Sequence, residues 1–217
     1  MDRIKSVCAY LDKCTVFADV ACDHGYFAQY MLDNGLCESA IISDISEKCL
    51  NKAKTLLSQY IKAGKCTSYV CDGLKSIGGA DEVIIAGIGG EEIVKILNES
   101  YIPEKFVFQP MKNAEKLRKF LIESGCCLLK DDIFSDEKNF YYIIKGIKSG
   151  KKQEYTHKQF KYGRDSLKNP VLKEFLLIEA EKKKNYLERE MSPSNRCGIE
   201  KSISEIEETL DEIDRNI

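Results

Sequence analysis

From Val16 to about Lys148, short apolar β-branched runs alternate with stretches of helical period. The runs Val16 to Ala21, Ala40 to Ile45, Thr67 to Cys71, Glu82 to Ala86 and Phe106 to Gln109 are apolar on both faces. Parallel strands covered by helices require that pattern. Between them, 26–34, 47–62, 90–98 and 114–124 read as helices. Gly35, Gly64 and Gly125 serve as stops, and Ser46 with Glu47 as a start. Two further extended runs, Cys127 to Phe134 and Phe140 to Ile147, flank a polar turn at 135–139 and predict a hairpin. The pattern predicts an α/β fold with a parallel, doubly wound sheet that ends in an antiparallel pair.

Past Ser149-Gly-Lys-Lys152 the β-branched runs vanish and charge rises, so we expect one domain over 1–150 and a second over 151–217. Pro170 opens a helix through Leu172, Phe175, Leu176, Ile178 and Leu187 to about Met191, and Ser192 to Gly198 breaks it. Ile199, Ile203, Ile206, Leu210, Ile213 and Ile217 then recur at spacings of four and three, a heptad seam that a lone helix cannot bury. An antiparallel helical hairpin, a short coiled coil, answers both helices. Between Lys145 and Glu190 there are thirteen Lys/Arg against seven Asp/Glu, whereas the final helix is acidic. Either the two helices pair charges across their seam, or the first offers a basic face to phosphates.

Overall, 33 basic and 35 acidic residues give no global attraction to a polyanion. The ten cysteines are scattered without a Cys-x-x-Cys, only two histidines accompany them, and Met1-Asp-Arg-Ile-Lys has no apolar signal segment behind it. These features predict a cytoplasmic chain in a reducing compartment, with thiols acting as small core residues and no metal site. No apolar run reaches the ~18 residues that a membrane span needs.

Ligands of a doubly wound sheet sit beyond the carboxyl ends of its strands. Four such ends carry polar or glycine residues: Cys22-Asp-His-Gly25, Ser43-Asp-Ile45, Cys71-Asp-Gly-Leu74 and Ala86-Gly-Ile-Gly-Gly90. Asp44 suits both hydroxyls of a ribose, or else caps the following helix. Asp72 before Gly73 suits an adenine amino group, or is an ordinary turn. A pyrophosphate needs several glycines for close backbone approach, and the first loop supplies only Gly25. S-adenosylmethionine, which has no phosphates, fits better, and Asp19 and Asp23 suit its ammonium and sulfonium charges. Asp19 has the alternative of a structural hydrogen bond inside the turn. Two other functional classes stay open on these residues: a NAD(P)-dependent oxidoreductase, and a non-catalytic RNA-binding or dimerising protein in which the hairpin is the working part.

Taken together, Ala18-Asp-Val-Ala-Cys-Asp-His-Gly-Tyr26, Cys71-Asp-Gly-Leu74, Ile84-Ile-Ala-Gly-Ile-Gly-Gly90 and Phe108-Gln-Pro110 resemble the bacterial tRNA (adenine-22-N1)-methyltransferase family. The resemblance implies a Rossmann-like class I methyltransferase sheet with a C-terminal helical hairpin. It also implies S-adenosylmethionine as cofactor and N1 of an adenine in the tRNA D-loop as target. The cofactor-binding residues expected are Asp19, Ala21, Gly25, Asp44, Ile45, Asp72, Gly73, Ala86 and Gly87. Asp23 is expected to stabilise charge or accept a proton, with His24 orienting it and Tyr26 stacking on a flipped adenine. For the RNA we expect Gly89, Gly90, Gln109 and Pro110 near the base and Lys182, Lys183 and Lys184 on phosphates. A second basic patch is expected at Lys112, Lys116, Arg118 and Lys119. The expected partner is tRNA, with the enzyme a monomer or weak dimer and no membrane association.

Overall fold

The computed structural model describes residues 3–137, 139–150 and 153–215. Ile217 of the expected seam, Lys138 of the expected turn and Lys151 and Lys152 of the expected linker lie outside them. The chain forms two compact units, the first ending at Arg164 and the second beginning at Asp165.

In the first unit the order is α1 (Arg3–Cys8), β1 (Val16–Val20), α2 (Tyr26–Asp33), β2 (Ser39–Asp44), α3 (Glu47–Leu56), α4 (Ser58–Lys62) and β3 (Cys66–Val70). Then follow β4 (Glu82–Ala86), α5 (Gly90–Glu99), β5 (Lys105–Gln109), α6 (Ala114–Glu123), β6 (Cys126–Asp136), β7 (Asn139–Lys148) and α7 (His157–Tyr162). The strands lie in the order β3-β2-β1-β4-β5-β7-β6. The first five pair in parallel, while β7 runs antiparallel to both β5 and β6. This is the sheet the apolar runs predict. The strand order reverses between β1 and β4, so the rim beyond these two strands is where such a fold opens a crevice.

Because successive side chains point to opposite faces, β1 supplies one core with Phe17 and the other with Ala18 and Val20. Phe17, Ile42, Ile84 and Val107 pack under α1, α2 and α3, with Val7, Met31 and Leu50 buried beside them. Val83, Ile85, Phe106 and Phe108 pack under α5 and α6, against Ile93, Leu97, Leu117 and Leu121. The expected helix over 47–62 is broken at Leu57 into α3 and α4.

The first unit continues past residue 150 because its next segment is hydrogen-bonded to the hairpin and α6. The Gln153 side chain accepts the Leu128 N–H (2.8 Å), and the Arg164 backbone N–H donates to the Asp131 carboxylate (3.2 Å). Arg118 is fully buried, with its Nε on Asp131 at 2.7 Å and its Nη1 on the Phe160 carbonyl at 3.1 Å. It therefore leaves the expected basic patch. Lys112 and Lys116 of that patch stand in ion pairs with Glu92 and Glu91.

The second unit holds a short 3-10 turn (Ser166–Lys168), α8 (Pro170–Leu187) and α9 (Pro193–Arg215). The expected break at Ser192 to Gly198 is absorbed into α9, since proline is tolerated in a first helical turn and the Ser192 hydroxyl accepts the Asn195 N–H. Leu172, Leu176 and Ala180 of α8, and Ile203, Ile206 and Ile213 of α9, are buried. Thr209, rather than Leu210, joins them, its hydroxyl donating to the Glu205 carbonyl. Lys173 pairs with Asp214 at 2.5 Å and Lys184 with Glu207 at 2.7 Å. Those two pairings fix the helices as antiparallel and match the reading of charge pairing across the seam.

Candidate active site

β1 ends in a turn with three residues in the left-handed region: Ala21 (φ 56°), Asp23 (φ 44°) and Gly25 (φ 74°). Non-glycine residues enter that region at a cost and concentrate at functional sites. A Cβ on Gly25 would lie 3.0 Å from the Ala53 Cβ, so a side chain there would press the start of α2 against α3. The turn is further held by Asp44 at the end of β2. Its Oδ2 accepts the Asp23 N–H (3.1 Å) and its Oδ1 the Ser46 N–H (2.8 Å). Asp44 thus braces both the first loop and the start of α3. Each of its oxygens retains a second lone pair that a ligand hydroxyl can use.

A cavity of about 760 Å³ opens at this rim. Asp19, Ala21, Asp23, His24, Tyr26, Asp44, Ile45, Ala86 and Gly87 line it together, residues drawn from the ends of β1, β2 and β4. Asp19 is 2 % exposed, and its carboxylate accepts the Ala28 N–H at 3.2 Å. Burial pushes its pKa up to about 8, outweighing the backbone hydrogen bond that lowers it. Asp23 lies in the opposite state. Lys52 donates to its Oδ1 at 2.9 Å, holding the carboxyl below its ordinary range, and His24 Nδ1 stands 2.7 Å from Oδ2. With Nδ1 committed to the carboxylate, a neutral His24 leaves Nε2 as an acceptor. Its ring is stacked on Tyr26 with centroids 5.2 Å apart, and Tyr26 itself is 45 % exposed.

Other expected site residues lie outside the cavity lining. Asp72 forms an ion pair with Lys75 at 3.3 Å. A Cβ on Gly73 would come within 2.6 Å of Ile96, and one on Gly90 within 2.4 Å of the Asn113 carbonyl oxygen. Both glycines answer close chain packing. A Cβ on Gly89 would run into Glu92 and Lys112 side chains. Gln109, expected at a base edge, is fully buried and already satisfied. Its Oε1 accepts from Arg3 (3.0 Å), and its Nε2 donates to the Pro110 carbonyl (3.3 Å) and approaches Met111 Sδ at 3.5 Å. Pro110 is buried next to it. Lys182, Lys183 and Lys184 lie on α8 of the second unit, where Lys182 pairs with Glu179 and Lys184 with Glu207.

The cavity also has a wall that sequence reasoning missed, made by Arg3 and Ile4 of α1, Met111, and Asp136 and Tyr141 of the hairpin. Arg3 joins these parts. Its backbone N–H donates to Asp136 (2.9 Å), its Nη1 to Gln109, and its guanidinium lies 5.8 Å from the Tyr141 ring centroid. A six-residue helix gives little signal, though Ile4, Val7, Cys8 and Leu11 do keep a helical spacing.

Residues 1–144 match the family model described as a methyltransferase domain. A putative tRNA methyltransferase of Mycoplasma pneumoniae is 32% identical over 139 residues, covering 63% of this chain and 65% of that protein. The tRNA (adenine(22)-N(1))-methyltransferase of Bacillus subtilis is 27% identical over 148 residues, covering 65% and 62%. The matched segments therefore span less than two thirds of the length of these curated relatives. Among solved structures, M. capricolum TrmK in complex with S-adenosyl-homocysteine superposes with a TM-score of 0.88 over 98% of both chains at 21% identity, which shows the shared fold. With the sheet order, the crevice at its reversal point and the match over residues 1–144 in agreement, the chain belongs to the methyltransferase-domain family.

Proposed function

We propose that the protein transfers a methyl group from S-adenosylmethionine to N1 of adenine 22 in the D-loop of tRNA. The observation that carries this reading is the cavity at the end of β1, β2 and β4. It is acidic, Gly87 is the one glycine among its described lining residues, and it keeps the Asp19 carboxyl out of water with the Ala28 N–H donating to it. A buried acid of that kind favours a cationic ligand over a pyrophosphate. The Bacillus subtilis relative, named for N1 of adenine 22, supports this reaction, and the Mycoplasma pneumoniae relative, named as a putative tRNA methyltransferase, supports a tRNA substrate. The reading places the enzyme in the cytoplasm, where tRNA is modified, and leaves the nicotinamide alternative without a phosphate site.

When bound, the sulfonium cofactor supplies an electrophilic methyl group. Asp19 would face its cationic end, Asp44 its ribose hydroxyls, and Ala86 and Gly87 leave room along the end of β4. Adenine N1 attacks through an in-plane lone pair and needs no prior deprotonation, so positioning is most of the work. Methylation at N1 leaves the base cationic until a proton leaves the exocyclic amine. Asp23, held ionised by Lys52, is a weak base and a good neighbour for that charge. His24 Nε2 is the better proton acceptor, oriented through Nδ1 by Asp23. The exposed Tyr26 ring beside it offers a surface for an adenine flipped out of its stack. Lys183 and its neighbours on α8 are the proposed contact with tRNA phosphates.

Incubating the protein with labelled S-adenosylmethionine and unmodified tRNA transcript tests the reaction class. Label transferred to RNA by the wild type, and reduced about 10- to 100-fold in Asp23→Asn at saturating cofactor, is the expected result. Wild-type rates in Asp23→Asn would remove Asp23 from the mechanism.

A further inference from the structure

The charges lining the cavity are unequal. Three carboxylates, Asp23, Asp44 and Asp136, face it beside the buried, protonated Asp19, and among the described lining residues Arg3 is the one Lys or Arg. S-adenosylmethionine has the complementary pattern, with two cationic centres at the sulfonium and the amine and one anion, its carboxylate. We propose that Arg3 is the cation that binds the carboxylate of the cofactor's methionine tail. This inference rests on the S-adenosylmethionine reading above and names a residue that the first strand loops do not supply.

Position and chemistry agree with the assignment. Asp44 closes β2 and Gly87 follows β4, with β1 between them, so the two ends of the cavity are about two strand spacings, roughly 10 Å, apart. A ribose seated at Asp44 therefore directs an extended five-carbon-and-sulfur tail across β1 toward Gly87. A Cβ on Gly87 would stand in ordinary van der Waals contact with Arg3 Nη1, at 3.6 Å, which puts the guanidinium beside the end of β4. The fork is held in place. Nη1 donates to Gln109 Oε1, the Arg3 backbone N–H donates to Asp136, and Tyr141 lies beneath the guanidinium. Among the described residues its Nε and Nη2 take no protein acceptor, and that edge can meet a carboxylate with two parallel hydrogen bonds. Gln109 can only turn its oxygen toward Arg3, since arginine donates and never accepts, so the buried amide sets the orientation of the fork.

The test varies the ligand and the residue together and reads binding by titration calorimetry. Wild-type protein is titrated with S-adenosylmethionine and with its decarboxylated form, which keeps the sulfonium, amine and adenosine. The decarboxylated compound is expected to bind about 10- to 100-fold more weakly, the range for charge-assisted hydrogen bonds. Arg3→Gln is expected to lose a similar factor for S-adenosylmethionine and to bind the two compounds within about threefold of each other, with Arg3→Lys between. Equal binding of both compounds by the wild type overturns the inference, and that arm needs no variant to fold. A uniform loss of both in Arg3→Gln also overturns it and assigns Arg3 to holding α1. Unchanged cofactor selectivity with a shallower salt dependence of tRNA binding overturns it in favour of an RNA phosphate. Wild-type protein that binds neither compound refutes the S-adenosylmethionine reading itself, a result distinct from the other three.

Discussion

Asn in place of Asp19 should make the ligand-free protein more stable, and increasingly so as pH rises. Burial raises the Asp19 pKa from an ordinary 3.8 to about 8, so the folded chain holds a proton that the unfolded chain releases. The sign follows from that. The group's contribution is fully present below about pH 3.8 and is lost progressively as pH rises to about 8, above which the loss is complete. At pH 7 roughly three pH units of this range have been crossed, which corresponds to a cost on the order of 4 kcal/mol. Asparagine keeps an oxygen for the Ala28 N–H but buries an amide NH₂ without an evident acceptor, at about 1–3 kcal/mol. The net gain expected for Asp19→Asn is about 1–3 kcal/mol at pH 7, or roughly 3 to 10 °C in Tm for a chain of this size. Thermal unfolding of both proteins from pH 5 to 9 reads it directly, because groups remote from Asp19 titrate alike and cancel in the difference. The gap should widen up to about pH 8 and then level off. A gap that stays constant across that range, or narrows, would refute the argument that Asp19 is desolvated.

Asp131→Ala should cost about 3–5 kcal/mol by leaving Arg118 charged and buried, read as a fall in the denaturant midpoint; a loss under 1 kcal/mol would contradict the pairing. Gly25→Ala should lower stability by about 1–3 kcal/mol, through both its positive φ and its approach to Ala53, and Ala53→Gly in the same chain should recover part of it. Replacing Lys182, Lys183 and Lys184 by alanine should make tRNA binding less steeply dependent on salt. An unchanged slope would reduce that face of α8 to its pairing with α9.

The centre of the sheet was legible in the sequence because β1, β2, β4 and β5 are largely buried on both faces, whereas β3, expected to be apolar on both faces, is an edge strand that exposes Tyr69 and Val70. The loop after β1 was legible too, since Ala18 to Tyr26 carries residues that a buried turn alone does not require. Arg118 was misplaced by counting charge without period. Ala114, Leu117, Leu121 and Ile122 form the buried stripe of α6, and Arg118 occupies one of its positions, where a partner such as Asp131 is obligatory. The α7 helix is too short for an apolar period to mark it, and its one sequence signal is the capping box of Thr156 and Gln159. Gln109 looked like a site residue because it ends a strand. What satisfies it is Arg3, 106 positions away in sequence, a contact that no local pattern encodes. The fourth wall of the cavity is of the same kind, since α1, Met111 and the hairpin converge only once the sheet has formed.

The proposed reaction is tested most directly by locating the modified base. Unmodified tRNA is incubated with the protein and S-adenosylmethionine, then copied by reverse transcriptase, which stops at a methyl group on the Watson-Crick edge. The account predicts a cofactor-dependent stop at adenine 22, abolished when that adenine is replaced by guanine. A stop at another adenine, or label in the RNA without any stop, would contradict it.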